Sequence, residues 1–380
     1  MSIKNVIYVT SVLPEYRENQ LIEKKARASI QAFKYHRLLC EGLCQNDINV
    51  TVITYNKFNR ENGIIDGMEE NIGSVKYHYL VPEKEGKLGY LELFFKTYNE
   101  VFKNIKENTI VICDALNSTI SYAALCAAKK SNIETVTIVT DFPDTSRFSL
   151  NGRISWRVIR KCSKWILLTR QMYEYLGKNK KATILEGHVD SKMIEKENLL
   201  TEKTKPRRCI YAGSLKKKYG ILKLIQAFEL ANPDNVELHI YGAGEIESEL
   251  RAMTNPRIIY HGVMPNSVVV NDEIHATLLI NPRPTDGEYT KYSFPSKNLE
   301  YMASGTPLLT TKLAGMPTEY YEYVFLFETE TIEGMAATLR SVLGRTDAEL
   351  HQKGIAAKKF VLDNKSNIAQ AKKVIDLLNE

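Results

Sequence analysis

Short runs rich in Val and Ile alternate along this chain with segments of helical length, and this alternation restricts the fold more than any other feature. Such runs include "VIYVT" (6–10), "VTVIT" (50–54), "TIVIC" (109–113), "VELHIYG" (236–242) and "ATLLINP" (276–282). Nearly continuous apolar strands separated by helices are typical of parallel sheets with helices on both faces. The sequence therefore predicts a doubly wound α/β architecture.

The chain length and one charged segment divide the sequence into two parts. At 380 residues the chain exceeds the usual size of one domain, so two domains are expected. The segment "SKMIEKENLLTEKTKPRR" (191–208) is typical of a linker, and ligands are expected in the cleft between the two domains. The pattern "TDAE" (346–349) predicts a helix start, and "SNIAQAKKVIDLL" predicts a last helix at about 366–378.

The charge is unevenly distributed. The net charge is +6, and residues 1–200 carry 29 Lys and Arg against 23 Asp and Glu, whereas residues 201–380 carry 22 of each. The first half is therefore expected to meet an anionic partner more readily than the second.

Neither the cysteines nor the apolar runs indicate a secreted or membrane-spanning protein. The six cysteines are scattered and form no metal-binding cluster, which favours reduced thiols in a cytosolic protein. The longest uncharged run, 115–128, is too short and too polar to span a bilayer, and the N-terminus fits a first strand better than a signal peptide.

Three strand ends in the second half carry glycines. The strand at 209–213 ends at Gly213 and Ser214, and Lys218 closes the following lysine run; this pattern fits a diphosphate site and, equally, a solvated loop. "IYGAGE" places Gly242 and Gly244 after the next strand, where a plain strand-to-helix turn is a serious alternative. In "YHGVMP" (260–265) an exposed backbone at 262–263 would suit a base edge, although a turn is the better interpretation of that stretch by itself.

The stretch "KYSFPSKNLEYMASGTPLLTT" (291–311) carries the strongest signal. Pro295 suits a first helical turn, so the backbone N–H groups of Ser296 and Lys297 are expected to face an anion such as a phosphate. Glu300 lies about one turn further on, and an ionised carboxylate accepts two hydrogen bonds, which suits vicinal ribose hydroxyls. Gly305 fits a left-handed helix stop. An ordinary cap at Ser296 and a surface carboxylate at Glu300 are the alternatives.

These motifs together resemble the retaining glycosyltransferases of family 4, which have the GT-B fold of two Rossmann-like domains facing across a cleft. The resemblance is closest to bacterial enzymes of capsular, exopolysaccharide or lipopolysaccharide assembly, and it is most specific at 209–320. It implies an acceptor-side domain at 1–186 that also takes the returning last helix at 366–380. It implies a nucleotide-sugar donor domain at 187–365.

The resemblance also implies roles for single residues. Glu300 matches the second acid of the family's E-x7-E motif, which contacts the donor ribose, and Ser296 and Lys297 match the backbone donors to the diphosphate. Gly262 and Val263 match the segment beside the base. The further predicted donor-binding residues are Gly213, Ser214, Lys218, Gly242, Gly244, Arg283, Phe294 and Pro295.

The sequence departs from the family on the sugar side. Tyr292 stands where the first acid of the motif is expected, Ser214 replaces the family's Arg, and Tyr219 replaces its Lys. "SVLPEYREN" (11–19) occupies the place of the family's Gly-rich first loop. The predicted catalytic residues are Tyr292, Asp141 and Glu288, the last two as carboxylates near the reacting sugar; Asp286 is an alternative to Glu288, and a helix cap is the alternative for Asp141.

A basic segment, "NGRISWRVIRKCSKW" (151–165), gives a separate signal. Its cations recur at i, i+4, i+7 and i+11, which predicts one basic helical face suited to an anionic membrane surface; a solvated face is the alternative. The predicted membrane-facing residues are Arg153, Trp156, Arg157, Arg160 and Lys164. Nucleic acid is a weaker partner, because no stacking motif or recognition fold accompanies the charge.

The leading prediction is therefore a retaining, hexosyltransferase-type enzyme at the inner face of the cytoplasmic membrane. It is expected to use a nucleotide-sugar donor and a lipid-linked glycan acceptor. Because the chain has no Asp-x-Asp, neither a divalent metal nor another cofactor is expected. A non-catalytic GT-B partner subunit that binds nucleotide-sugar and a GT-B nucleotide-sugar epimerase stay open as alternatives.

Overall fold

The computed structural model describes residues 3–23, 30–144 and 149–380. The chain divides into two compact units, unit 1 (Met1–His188 and Asn367–Glu380) and unit 2 (Val189–Ser366). These boundaries lie two residues and one residue from the predicted domain ends at 186 and 366. All six cysteines are free thiols.

Unit 1 is built around an eight-stranded sheet with the order β3-β4-β2-β1-β5-β6-β7-β8. Every pairing is parallel except that of β3 with β4, and the antiparallel edge strand β3 had no counterpart among the predicted strands. The strands are β1 (Asn5–Thr10), β2 (Asn49–Thr54), β3 (Glu69–Ile72), β4 (Val75–Tyr79), β5 (Thr109–Asp114), β6 (Thr135–Val139), β7 (Lys164–Leu167) and β8 (Ala182–Ile184).

Helices cover both faces of this sheet, because its strands carry apolar side chains on each face. One core joins the strands to α2 and α13, and the other joins them to α3, α4 and α5. The predicted last helix is present as α13 and packs on α2 within unit 1. The helices of unit 1 are α1 (Glu15–Glu23), α2 (Ile30–Cys44), α3 (Gly86–Asn104), α4 (Ser118–Lys130), α5 (Leu150–Lys161), α6 (Arg170–Tyr175) and α13 (Asn367–Asn379).

Unit 2 contains a six-stranded parallel sheet with the order β11-β10-β9-β12-β13-β14. Numbered within the unit, this is the 3-2-1-4-5-6 order of dinucleotide-binding sheets, whose direction of winding reverses between the first and fourth strands, here β9 and β12. The strands are β9 (Arg207–Ala212), β10 (Val236–Tyr241), β11 (Ile258–Gly262), β12 (Leu278–Asn281), β13 (Leu308–Thr310) and β14 (Phe325–Leu326).

The helices of unit 2 begin and end where their sequence signals are placed. Thr346 and Glu349 form the predicted capping box, and Gly305 ends its helix with φ 81°, as predicted. The segment 191–208, predicted as a linker, contains two short 3₁₀ turns before β9. The helices are α7 (Ile221–Ala231), α8 (Glu247–Arg251), α9 (Asn266–His275), α10 (Ser296–Ser304), α11 (Ile332–Leu343) and α12 (Asp347–Lys365).

Candidate functional site

The candidate site lies at the carboxyl ends of the unit 2 strands, where parallel α/β sheets bind their ligands. The loops after β9 and β12 flank the point at which the winding of the sheet reverses. The predicted donor-binding residues of unit 2 fall in the loops after β9, β10, β11 and β12 and at the start of α10. The structure therefore brings the predicted residues of unit 2 to one edge of one sheet.

The loops after β9 and β10 are in direct backbone contact. The N–H of Gly213 donates to Tyr241 O at 3.1 Å, and the N–H of Leu215 donates to Ala243 O at 2.9 Å. A Cβ on Gly242 would stand 1.8 Å from Gly213 O, and one on Gly244 would stand 2.6 Å from Leu215 O. This close approach gives the G-x-G of the second strand a packing reason, since no side chain fits between the loops.

The loop after β9 also packs against the loop after β12. Gly220 has φ +79°, and a Cβ there would lie 2.3 Å from Pro282 O. The ring of Tyr219 lies between two cations, with the Arg283 guanidinium 5.0 Å and the Lys218 ammonium 5.7 Å from its centroid. Tyr219, a departure from the family pattern, thus brings two predicted cations together through cation–π contacts at the reversal of the sheet.

Helix α10 begins at this edge. Pro295 is its N-cap residue, and the N–H of Asn298 donates to Pro295 O at 2.9 Å. Phe294 is buried against Tyr320, with ring centroids 5.2 Å apart, so it anchors the segment that enters the helix. The backbone N–H groups at a helix start point away from the helix along its axis, and the helix dipole favours an anion beside them.

A cation and an acid lie three residues apart near the start of α10. Lys297 Nζ lies 3.0 Å from Glu300 Oε2, and the two side chains are 27% and 23% exposed. Burial acts to lower the pKa of Lys297, but the charges of Glu300 and then Glu273 outweigh it, and the pKa is raised. Lys297 is therefore charged at neutral pH and can serve an anion.

Buried polar groups that sequence reasoning missed hold α10 in place. Tyr301 Oη accepts from the N–H of Ala212 at 2.7 Å and donates to Ala212 O at 3.0 Å, which ties the helix to the end of β9. Asn281 Nδ2 donates to Asn298 Oδ1 at 2.7 Å, and Asn298 is fully buried. The sequence carries no local signal for Asn298 and Tyr301, because their partners Asn281 and Ala212 lie on strands that are distant along the chain.

The end of β11 offers an exposed backbone. Gly262 has φ +71°, and a Cβ there would meet no atom within 4 Å. Its carbonyl accepts from the N–H of Gly242 at 2.7 Å, and the next residue, Val263, is 72% exposed. The segment thus continues the edge formed by the loops after β9 and β10.

The predicted sugar-side residues are only partly placed. Tyr292 ends a 3₁₀ turn (Glu288–Tyr292) that precedes α10 and is half-buried. The side chain of Glu288 lies outside the described part of the structure. Asp141 follows β6 in unit 1 and is exposed. The backbone carbonyl of Ser214 accepts a hydrogen bond from Tyr211 Oη at 2.9 Å. The catalytic roles of these residues stay predictions.

The basic helix of unit 1 differs from its prediction at one residue. Helix α5 ends at Lys161, and Arg153, Arg157 and Arg160 are exposed on it, while Trp156 is half-buried. Lys164 is not membrane-facing: it starts β7, is buried, and lies 2.8 Å from Glu134 Oε2. The helical spacing of the cations continues to Lys164, but the helix itself ends at Lys161 because strand β7 begins at Lys164.

Trp156 packs in an aromatic cluster at the start of this basic face. Its ring stacks on Phe142, with centroids 5.5 Å apart, and the Arg160 guanidinium lies 5.7 Å from the Trp156 centroid. Exposed Lys161, which the prediction omitted, lines a shallow depression of about 370 Å³ together with the three arginines.

Two further observations concern the whole described chain. Within residues 3–23, 30–144 and 149–380, no helix combines the length and apolarity that a bilayer crossing requires. Those same ranges contain no group of three or more His, Cys, Asp or Glu side chains placed to hold a metal ion.

Comparison with known proteins finds a family model that matches part of the chain and solved structures that share its fold. Residues 206–345 match the family model described as "Glycosyl transferases group 1". No curated protein matches the chain by sequence. The matched stretch contains the loops after β9, β10, β11 and β12 and helix α10, so it includes the whole candidate site of unit 2.

Solved structures resemble the chain over its full length. TarM has a TM-score of 0.68 at 13% identity, covering 100% of this chain and 99% of its own. Sucrose-phosphate synthase from Thermosynechococcus elongatus has 0.68 at 15%, with 99% and 98% covered. WaaG, a glycosyltransferase involved in lipopolysaccharide biosynthesis, has 0.60 at 14%, with 98% and 99% covered. These likenesses confirm the predicted fold class, two Rossmann-like parallel-sheet units of the GT-B type.

Proposed function

We propose that this chain is a retaining glycosyltransferase that transfers a hexose from a nucleotide-sugar to a glycan acceptor. One observation carries the proposal: at the reversal of the unit 2 sheet, the start of α10 and the paired cations Lys218 and Arg283 lie on the same edge. This edge falls inside the stretch that matches group 1 glycosyltransferases. The solved structure of a TarM variant from S. aureus is a complex with UDP, which is consistent with a nucleotide diphosphate as the leaving group.

The proposed chemistry depends on stabilising that leaving group. Cleavage of the bond between sugar and diphosphate leaves negative charge on the phosphate oxygens, and donors fixed in advance stabilise such charge most effectively. The N–H groups at the start of α10 and the charged side chains of Lys218, Arg283 and Lys297 provide those donors. We infer that the reaction needs no divalent metal, since these groups supply the positive charge.

Glu300 is proposed to bind the donor ribose. Its carboxylate lies one turn beyond the helix start, and one oxygen, Oε2, contacts Lys297. An ionised carboxylate can accept two hydrogen bonds at once, which suits the vicinal hydroxyls of a ribose. Lys297 thereby links the ribose contact to the diphosphate contact. The sugar contacts are assigned to Asp141, to Glu288 and to Tyr292, which replaces the family's first acid.

The acceptor is proposed to be a lipid-linked glycan of a cell-surface polysaccharide. WaaG acts in lipopolysaccharide biosynthesis, and the TarM complex also contains alpha-GlcNAc-glycerol, whereas sucrose-phosphate synthase shows that the same fold serves other acceptors. The basic face of α5 favours the lipid-linked class, because exposed guanidinium groups suit an anionic leaflet. With such an acceptor, the proposed location of the chain is the inner face of the cytoplasmic membrane.

A thermal-shift panel of nucleotides and nucleotide-sugars, followed by transfer assays with the donors that bind, tests the proposal. A ligand that binds only the folded chain raises the melting temperature, so at least one nucleoside diphosphate is expected to do so. Transfer with retained anomeric configuration is expected in excess chelator. A panel without any shift contradicts the donor site, and transfer that returns only with magnesium or manganese contradicts the metal-free mechanism.

A non-catalytic partner subunit is the second candidate, and Tyr292 is the observation that favours it. A phenol at this position cannot supply the carboxylate that family members place near the donor sugar. Donor binding without transfer or donor hydrolysis would support this candidate. Loss of transfer on Glu300→Ala, with the melting temperature unchanged, would exclude it.

A further inference from the structure

Helix α3 of unit 1 is apolar on both sides. Its buried side carries Gly89, Leu93, Thr97 and Val101, which pack beneath the helix in the described structure. The opposite side exposes Leu88 by 62%, Leu91 by 55%, Phe95 by 55% and Phe102 by 50%. A surface helix normally places polar residues on the side that faces water, so this arrangement indicates a surface that becomes covered.

Four exposed residues recur with coiled-coil spacing together with Tyr98, which is half-buried and also packs against the core. Leu88, Leu91, Phe95, Tyr98 and Phe102, here called the α3 seam, follow one another at intervals of 3, 4, 3 and 4 residues. This is the a/d pattern by which one helix packs against another. At about 1.5 Å per residue the seam is roughly 21 Å long. Tyr98 stacks on Phe102, with centroids 6.3 Å apart, so these two rings form one apolar surface at the end of the seam.

The charges beside the seam favour a protein partner over a bilayer. Residues 83–107 contain five Lys and five Glu, a balance of zero, whereas anionic leaflets recruit segments with excess positive charge. Charges at the flanks are also paired within unit 1: Lys96 Nζ lies 2.7 Å from Asp66 Oδ2 and 2.8 Å from Glu92 Oε1. Because the flanks are neutral, two copies of this helix can approach without net repulsion.

The size of the seam matches the apolar centre of a reversible dimer. Large side chains bury about 150–250 Å² each, so the half-exposed seam and neighbouring Tyr90 present on the order of 500 Å² per copy. A standard interface covers about 800 Å² per partner, of which the centre is apolar and the rim polar. The seam alone supplies such a centre, and the balanced charges around it supply a rim.

We propose that the α3 seam is the docking surface for a second copy of this chain, which presents the same helix across a two-fold axis. In a two-fold contact each copy offers the same patch, and a heptad strip is self-complementary in this way. Phe95 is the middle residue of the seam and faces the partner's Phe95 whether the helices run parallel or antiparallel. The association is independent of the proposed glycosyl transfer.

Sedimentation velocity of the full-length chain at concentrations from 0.5 to about 100 µM tests the proposal. We expect a concentration-dependent dimer that becomes a monomer in the Leu91→Glu/Phe95→Glu variant, which should keep the melting temperature of the dilute, monomeric wild-type chain because both positions are exposed. The matched control is Ile194→Glu, which changes a residue 71% exposed in unit 2 and should leave the dimer intact. A wild-type chain that stays monomeric at 100 µM overturns the proposal, as does a seam variant that still dimerises.

A crosslink provides a second measurement that needs no destabilising charge. Phe95→Cys is expected to form a disulfide-linked dimer under mild oxidation, whereas the wild-type chain, with its native cysteines, is not. Vesicles of neutral phosphatidylcholine complete the test: a monomeric chain that binds them through Leu91 and Phe95 shows that the seam meets lipid, and the proposal is then wrong. Absence of the crosslink at dimer-forming concentrations contradicts the central position of Phe95.

Discussion

The ammonium Nζ of Lys297 lies 3.0 Å from Oε2 of Glu300, near the start of α10. A cation at a helix start is disfavoured by the helix dipole, and an adjacent acid offsets this effect. The pair therefore keeps a positive charge where a diphosphate is expected. It also holds the carboxylate that is proposed to bind the ribose, so the two contacts are coupled.

Glu300→Gln is predicted to weaken donor binding by about 10- to 100-fold, because a hydrogen bond to a charged acceptor contributes about 1.5–3 kcal/mol. Loss of this carboxylate also removes a charge that raises the pKa of Lys297. Isothermal titration with the best-binding nucleoside diphosphate measures the effect. Equal affinity of the variant and wild type would remove Glu300 from the site.

Lys297→Met is predicted to weaken binding of nucleoside diphosphates more than that of nucleosides, since only the former present phosphate charge. Lys359→Met on α12 is the matched control, because it removes an exposed lysine of the same unit that lies outside the strand-end loops and α10. The measurement is the ratio of the affinity for a nucleoside diphosphate to the affinity for its nucleoside, in wild type and in each variant. An equal loss for nucleoside and diphosphate would place Lys297 elsewhere in the site.

Gly242 and Gly262 form a matched pair for testing the packing of the strand-end loops. Gly262→Ala is predicted to cost about 1–2 kcal/mol, since its left-handed backbone is strained but its Cβ meets open space. Gly242→Ala should cost clearly more, because its Cβ would stand 1.8 Å from Gly213 O. Urea denaturation compares the free energies of unfolding. Equal losses would show that the loops adjust without strain.

The strand pattern predicted most of the fold because parallel strands are apolar on both faces. Runs such as 109–113 and 236–242 therefore stand out from their surroundings, and they correspond to β5 and β10. The edge strand β3, "EENI", was not predicted, since it is polar and largely exposed. The prediction for Lys164 was wrong because the helical spacing of the cations continues past the end of α5. Lys164 belongs to strand β7, where it is buried and paired with Glu134.

The site was predictable where a backbone constraint demands a residue type. Gly305 ends α10 in the left-handed conformation that was predicted for it, whereas Pro295 is the N-cap residue, one position before the helical turn in which it was predicted. Asn298 and Tyr301 were not predictable, because their partners at Asn281 and Ala212 lie on strands distant in sequence. Polar side chains buried by such contacts carry no local periodic signal.

Stability is predicted to fall with acidification through His188. This residue is 8% exposed, and its ring nitrogens have no hydrogen-bond partner among the described residues. Burial, followed by the charges of His36 and Lys373, lowers its pKa to about 3. Below about pH 6.5 the unfolded chain binds a proton that the folded chain does not, so this group lowers the free energy of unfolding by about 2 kcal/mol at pH 5.

The His188→Gln variant isolates this contribution. Urea denaturation at pH 7.5 and pH 5 is expected to show a smaller loss in the variant than in wild type, whereas His275→Gln, on α9, should retain the wild-type loss. Parallel pH dependences of wild type and His188→Gln would mean that His188 is not the group responsible.

The basic face of α5 is predicted to contact an anionic leaflet through Lys161 and not through Lys164. Lys161 is exposed with Arg153, Arg157 and Arg160, so replacing these four by Gln should abolish co-sedimentation with phosphatidylglycerol vesicles at low salt. Lys164→Gln should leave vesicle binding unchanged and lower the free energy of unfolding by about 1–3 kcal/mol, since it leaves the Leu378 carbonyl and Glu134 without a donor. If the four-residue variant binds vesicles as well as wild type does, the face is simply solvated.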